Sequence, residues 1–394
     1  MRPSFMSVKR TLIKTSLSAA LAAERLLRGR RLVVDADAVR SVLVVEYMLP
    51  LGCCVHLTPL FEAIRMGRPA IEISVATRGL GAALLRHSPM IDHLIETPDP
   101  LVDLRGTVWA LKRELAGRGI APECVLTGLS DSRTRVSLVG VLAGMGWRGG
   151  FTLTPELYQR PFKRRGDLSL IDNNLRVASL LGCGTGHLEP RVFFSAADVT
   201  AAEAMVREVN PEGKPLVVLV TQNSGGQRTG WHPERFVEVI RHAQEGLGCA
   251  VAYVGTASDS VAVEELRAGA GGIGSSLTGR TTVTELGALL AMSDFVVSLD
   301  TGTMHVGRSV GVPMVVLGPS WQKPLEWLPL GIPRVRILRG VDREGVPEGY
   351  RLDEIGAREV CAALTALFEV YPASAVERAA RVRRGVSVVD HLMG

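Results

Sequence analysis

Residues 293–333 confine this chain more than any other stretch. Phe295 to Leu299 is an apolar run of strand length that stops abruptly at Asp300-Thr301-Gly302-Thr303. That turn is rich in small side chains and backbone donors. Met304 to Val310 suits a short helix, Gly311-Val312-Pro313 breaks it, and Met314 to Leu317 is a second apolar strand ending at Gly318-Pro319-Ser320. Strand, polar turn, helix, strand is the unit of an open parallel sheet. Such sheets bind ligands beyond the carboxyl ends of their strands, so both polar turns are expected on a ligand-facing edge.

The rest of the chain alternates in the same way. Strands are expected at Ser41–Glu46, Ile71–Ala76, Ile91–Glu96 and Cys124–Thr127. Helices are expected at Cys53–Arg65, Gly79–Leu85, Trp109–Arg118 and Thr134–Ala143. Residues 151–200 are less regular: a basic loop at Arg160–Arg165, a helix over Leu168–Leu181, an extended Pro190–Phe194 and a helix from Val199 to Val209. The breaker cluster Pro211-Glu212-Gly213-Lys214-Pro215 suggests a domain boundary. Beyond it, Leu216–Val220, Ala250–Val254 and Val335–Leu338 read as strands. Pro233–Glu245, Ser260–Ala268, Thr284–Met292, Asp353–Phe368 and Ala375–Arg384 read as helices. The expected organisation is α/β: a basic helix and link at 1–40, one βα domain at 41–210, a second at 211–370, and a C-terminal helix at 371–394 that crosses back to the first domain. Hydrophobic residues make up 46% of the chain and aromatics only 5%. A core of Val, Leu, Ala and Ile suits parallel strands buried on both faces.

The net charge is +5, with acids nearly as numerous as bases. That balance suits anionic small ligands or a membrane surface and argues against wrapping nucleic acid. The six cysteines show no CxxC spacing, which excludes a zinc ribbon and suits a reducing, cytoplasmic setting. No apolar run approaches the ~18 residues of a membrane span. Lys9 to Leu27 reads as an amphipathic basic helix, either packed on the domain or resting on a membrane surface.

Several residues suggest chemistry. Asn223, Ser224 and Gly225-Gly226 follow a buried strand and would let backbone approach a phosphate, with Arg228 placed to pair with it bidentately. The amides of Thr301, Gly302 and Thr303 would add donors at a helix start. Asp300, His305 and Gly318 lie on the same edge. Cys53-Cys54 beside His56 reads as inert thiols rather than a nucleophile. Gly182-Cys183-Gly184-Thr185-Gly186 lacks the third glycine of a dinucleotide fingerprint and reads as a loop. Lys163-Arg164-Arg165 reads as a solvated face, and Trp321 and Trp327 as packing residues.

These motifs together resemble glycosyltransferase family 9, the ADP-heptose:lipopolysaccharide heptosyltransferases. The resemblance runs through Asp300-Thr301-Gly302-Thr303-Met304-His305, Gly311-Val312-Pro313, Leu317-Gly318-Pro319 and Pro324. In the first half, Val42–Val45, Gly52, His56 and Pro59 match that family's opening strand and loop. Asn173-Asn174-Leu175, and Arg228 with Trp231 and Pro233, add support. The resemblance implies a GT-B fold, two Rossmann-like βα domains facing each other across a cleft, the first on the acceptor side and the second binding the nucleotide sugar. It implies inverting transfer without a metal or cofactor, from a nucleotide-sugar donor such as ADP-heptose to a glycolipid or other hydroxyl acceptor, at the inner face of the cytoplasmic membrane. By the resemblance, Asn223, Ser224, Arg228, Asp300, Thr301, Gly302, Thr303, His305 and Gly318 would bind the donor. One position departs. The family carries an aspartate base directly after Gly52, and here Cys53 stands there. The base is then open among Cys53, Glu46 and His56, with Asp103 and Asp172 farther away. The alternatives are a weak or inactive relative that acts as a nucleotide-sugar-binding scaffold, or a nucleotide-sugar epimerase.

Overall fold

The computed structural model describes residues 35–47, 50–223, 230–346 and 348–391. The expected basic helix at 9–27 lies outside them. The first sheet contains β1 (Ser41–Val45), β2 (Glu72–Thr77), β3 (His93–Glu96), β4 (Cys124–Thr127), β5 (Trp147–Phe151) and β6 (Arg160–Phe162). Its helices are α1 (Leu51–Gly67), α2 (Gly79–Leu85), α3 (Leu104–Gly117), α4 (Thr134–Leu142) and α5 (Leu170–Leu175). After α6 (Ala196–Val209), the second sheet contains β7 (Leu216–Val220), β8 (Ala250–Tyr253), β9 (Ser275–Ser276), β10 (Phe295–Leu299), β11 (Met314–Leu317) and β12 (Val335–Leu338). Its helices are α7 (Pro233–Arg241), α8 (Ser260–Gly269), α9 (Val283–Met292), α10 (Gly302–Val310), α11 (Pro324–Trp327), α12 (Ala357–Val370) and α13 (Ala375–Gly385).

Strand order is β3-β2-β1-β4-β5-β6 in one sheet and β12-β11-β10-β7-β8-β9 in the other. All pairings between these strands are parallel. Order therefore reverses between β1 and β4, and again between β7 and β10, which are the crevices where such sheets take ligands. Alternate residues feed opposite faces. Val42 and Val44 join one apolar cluster, while Leu43 and Val45 join another. Val218 and Val296 likewise lie opposite Val217 and Val297. Both faces are covered by helices, as the aliphatic composition required.

The packing moves the change of unit upstream of the 211–215 breakers. Helix α6 lies against α9, and Ala202, Met205 and Val209 share the cluster of the second sheet. A Pro/Gly cluster marks a turn wherever one occurs, and here the turn lies inside the second unit. Helix α13 lies on α9 and α10. The residues after it return to the first unit, where His391 N–H donates to Arg86 O at 3.1 Å and Val389 O lies 2.8 Å from His87 Nδ1. Beside this crossing, Phe194 bridges Val386 in parallel. No single helix among the described residues is long and apolar enough to cross a membrane.

Candidate active site

The two units meet where α1 and α10 begin. Each helix follows the carboxyl end of a strand at its sheet's crevice, so the ligand edges of the two sheets face each other. The contact is tight. A Cβ on Gly52 would lie 2.6 Å from His305 Cδ2, and one on Gly302 would lie 2.7 Å from Leu51 Cβ. Glycine at both positions lets the two helix starts touch. The apolar cluster of the second sheet continues through this contact to Cys54, Val55 and Leu84.

Helix α1 contains Pro59, whose missing N–H leaves the carbonyl of Val55 without its helical donor. The hydroxyl of Thr58 donates to that carbonyl at 2.9 Å and accepts from Arg191 N–H at 3.1 Å. Asn174 is buried beside α1. Its Nδ2 donates to His56 O at 3.1 Å and its Oδ1 accepts from Leu129 N–H at 2.8 Å. Asn173 instead donates to the carbonyls of Arg165, Leu168 and Ser169. The asparagine pair is thus a brace for α1 and the basic loop.

Across the junction, His56 Nε2 and His305 Nδ1 are 2.9 Å apart and share one hydrogen bond. Trp327 stacks on His56, with centroids 5.5 Å apart and planes at 27°. On its far side His305 Nε2 lies 3.8 Å from Asp300 Oδ1. Burial, helped by the Arg308 charge, lowers His305 to about 3. Burial and the neighbouring His305 and Arg308 lower His56 well below the usual histidine value. Both imidazoles are neutral near pH 7. Burial raises Asp300 to about 6, so its charge is sensitive to what occupies the site.

At the start of α10, Thr301 caps the helix by accepting from Met304 N–H at 3.4 Å. The N–H groups of Gly302 and Thr303 lie in the first turn, where a helix supplies no acceptor. Gly318 directly follows β11. Its N–H donates to Leu338 O at 2.9 Å, and a Cβ there would meet Leu328 Cδ1 at 2.9 Å. Glycine there admits Leu328, and the amide belongs to the sheet. Asn223 lies just past β7; Ser224, Gly225, Gly226 and Arg228 lie outside the described residues. Beside them the end of β7 opens onto a groove of about 1420 Å³, walled in part by Thr221, Trp231, Phe236, Leu266 and Tyr350. Thr221 Oγ1 is buried with no partner among the described residues. Trp231 is a wall, its Nε1 donating to Ile355 O at 3.0 Å.

The first unit's wall holds Glu46, at the end of β1, and Cys53, in the first turn of α1. Both are buried. Burial and the Glu46 charge raise the Cys53 thiol to about 12, so it carries its proton near neutrality. Asp131, fully buried, accepts from Tyr47 N–H and pairs with Arg133 at 2.6 Å. Asp103 caps α3 through Gly106 N–H at 2.8 Å, which accounts for it structurally.

Sequence reasoning missed the residues that link the units below the histidine pair. Arg308 follows His305 by one helical turn, and its Nε and Nη2 donate to Glu189 at 2.7 and 2.9 Å. His187 bridges Glu189 at 2.8 Å and Asp172 at 2.6 Å. Arg308, His187 and Asp172, with His56 and Leu328, border an inter-unit crevice of about 260 Å³. The i, i+3 spacing of His305 and Arg308 was the available signal.

Residues 109–338 match glycosyltransferase family 9 (heptosyltransferase). The chain belongs to this family. It is a glycosyltransferase. A Veillonella parvula family 9 structure superposes with TM-score 0.75 at 19% identity, covering 86% of this chain and 99% of that one. The Escherichia coli ADP-heptose lps heptosyltransferase II gives 0.69 at 18%, covering 84% and 100%. The E. coli heptosyltransferase WaaC, solved with ADP-2-deoxy-2-fluoro heptose, gives 0.61 at 15%, covering 83% and 99%. No curated protein sequence matches the chain. The fold is therefore GT-B, two Rossmann-like units with their ligand edges face to face.

Proposed function

We propose that this family 9 glycosyltransferase is inverting and metal-independent, and moves heptose from ADP-heptose to a hydroxyl of a cell-envelope glycolipid or another acceptor. The observation that carries this reading is the meeting of the α1 and α10 starts at Gly52 and Gly302. Two positive helix ends converge there, beside the first-turn N–H groups of Gly302 and Thr303. A departing diphosphate needs such a field. Arg228, with Asn223 and Ser224 in the loop after β7, would pair with the same phosphates. Asp300 would accept hydrogen bonds from sugar hydroxyls, and His305, held neutral, would donate or accept beside the diphosphate. WaaC, of the same fold, is known with ADP and with an ADP-linked fluoroheptose, which supports an ADP donor.

For the base we favour Glu46. The Cys53 thiol holds its proton, and His56 is a weak base whose Nε2 already faces His305. The Glu46 charge reaches both cysteines at the start of α1. The acceptor hydroxyl would pass its proton to Glu46 as its oxygen attacks the anomeric carbon. The bond to the diphosphate would break on the opposite face, inverting the centre. A glycolipid acceptor would place the enzyme at the inner face of the cytoplasmic membrane.

Calorimetric titration tests the donor edge: Arg228→Ala should weaken ADP binding at least tenfold, and Asp300→Ala should weaken ADP-heptose binding at least tenfold. In transfer assays Glu46→Gln should lower kcat by about 10²–10⁴-fold, and Cys53→Ser should leave it within about twofold. Wild-type affinity in both donor-edge variants, or full turnover by Glu46→Gln, would defeat these assignments. Cys53 also favours a second reading, a nucleotide-sugar-binding scaffold without transfer. It predicts ADP binding without turnover, and turnover gained in Cys53→Asp.

A further inference from the structure

The far end of α10 borders a second cavity, separate from the donor edge. Helix α10 runs nine residues from Gly302 to Val310, which places its end about 12 Å from the helix starts. The cavity is about 400 Å³, a size that takes small ligands. It is formed where the link near Pro190, the end of α10, the start of β12 and the end of α13 come together.

Its charge is one-sided. Arg191, Arg308, Arg334, Arg381 and Arg384 line it, against only Glu62 and Glu189. Both carboxylates are already engaged, Glu189 by Arg308 at 2.7 Å and Glu62 by Arg191 at 3.5 Å. Arg381 donates to the carbonyls of Ala291 and Ser293, and Arg334 Nη1 to Gly311 O at 2.7 Å. The Arg384 guanidinium has no hydrogen bond or ion pair among the described residues. Gly311 ends α10 with φ +74°, a left-handed cap that glycine adopts without strain. Where its Cβ would stand, Arg334 Nη1 comes within 3.5 Å and Arg384 Nη2 within 3.9 Å. Capping the helix accounts for one N–H of Arg334. It leaves a second cation, Arg384, converging on the same point with no partner of its own among the described residues.

We propose that this cavity is a binding site for a phosphate group, held by Arg334 and Arg384 with Arg191 and Arg381 behind them. Guanidinium groups in such an array match phosphate oxygens bidentately. The site is independent of the donor edge and of the reading given above.

Phenylglyoxal labelling of the full-length protein, read by peptide mass spectrometry, tests it with ADP saturating any donor-edge phosphate site. Millimolar inorganic pyrophosphate should slow modification of Arg334 and Arg384 at least fivefold and leave the exposed Arg207 unchanged. Phosphatidylglycerol vesicles, against phosphatidylcholine vesicles, form the second arm. Protection by pyrophosphate assigns a soluble phosphate ligand, and protection by phosphatidylglycerol alone assigns a lipid phosphate. Protection by neither overturns the proposal. An Arg334→Ala/Arg384→Ala variant should keep its ADP affinity and lose pyrophosphate affinity at least tenfold. Unchanged pyrophosphate binding would also overturn it.

Discussion

Replacing Gly52 with alanine tests the central contact of the molecule. The new Cβ would lie 2.6 Å from His305 Cδ2 and 3.1 Å from its Nε2. Carbon atoms rest at about 3.5 Å, so the ring must retreat by about 0.9 Å. It is buried, bonded to His56 at 2.9 Å and flanked by Trp327, so retreat breaks or stretches that bond. Overpacking costs about 1–3 kcal/mol, and a buried hydrogen bond left half-made costs about 1–3 kcal/mol. Alanine returns at most about 1 kcal/mol of helix propensity. The expected net loss is about 2–4 kcal/mol, read by urea denaturation with tryptophan fluorescence. Gly117→Ala, where nothing lies within 4 Å, is the control and should gain about 0.4–1 kcal/mol. The decisive measurement is Gly52→Ala in a His305→Ala background, where the clash is gone and the loss should vanish. An equal loss in both backgrounds, or a single variant within about 0.5 kcal/mol of wild type, refutes the argument.

Asp300 is raised to about 6 by burial, so the stability its protonated form supplies is complete below the ordinary aspartate value and lost as pH rises through about 6. Asp300→Asn should therefore gain about 3 kcal/mol relative to wild type between about pH 4 and pH 8 in urea titrations. At His187 burial opposes the charge, but Glu189 and Asp172 outweigh it and raise the imidazole. The thermal advantage of wild type over His187→Gln should be full below about pH 6.5 and fade at higher pH. Thr58→Val should cost about 1–3 kcal/mol, measured by denaturation, because Val55 O and Arg191 N–H both lose their partner.

Buried parallel strands announce themselves, and Phe295–Leu299 and Met314–Leu317 form where their apolar runs stand. Strand β5 was not among the expected strands, because Arg148, Gly149 and Gly150 interrupt any apolar run there. Gly150 is there because a Cβ would lie 2.2 Å from Thr127 O, a closeness set by the neighbouring strand. Arg148 is buried because Leu157 O accepts from its Nε at 2.7 Å. Neither reason is local. The site divides in the same way. Asp300, Thr301 and His305 were legible as a motif, and Cys53 as a departure from one. The His56–His305 bond, the Trp327 stack and the Glu189–Arg308 pair join residues far apart in the chain, which spacing alone cannot bring together.

The paired crossings between the units limit how the cleft can open. The chain passes near Phe194 and returns after Gly385, and the two passages are stitched by Phe194 N–H to Gly385 O at 3.0 Å and Ser387 N–H to Phe194 O at 2.9 Å. A single tether would let one unit swivel freely on the other. Two strands joined side by side act as a strap, stiff to twisting and pliant to bending across its width. With the glycine contact of α1 and α10 as fulcrum, opening becomes a rotation about one axis. Such a rotation would part the lips of the cleft and spare the histidine pair beside the pivot.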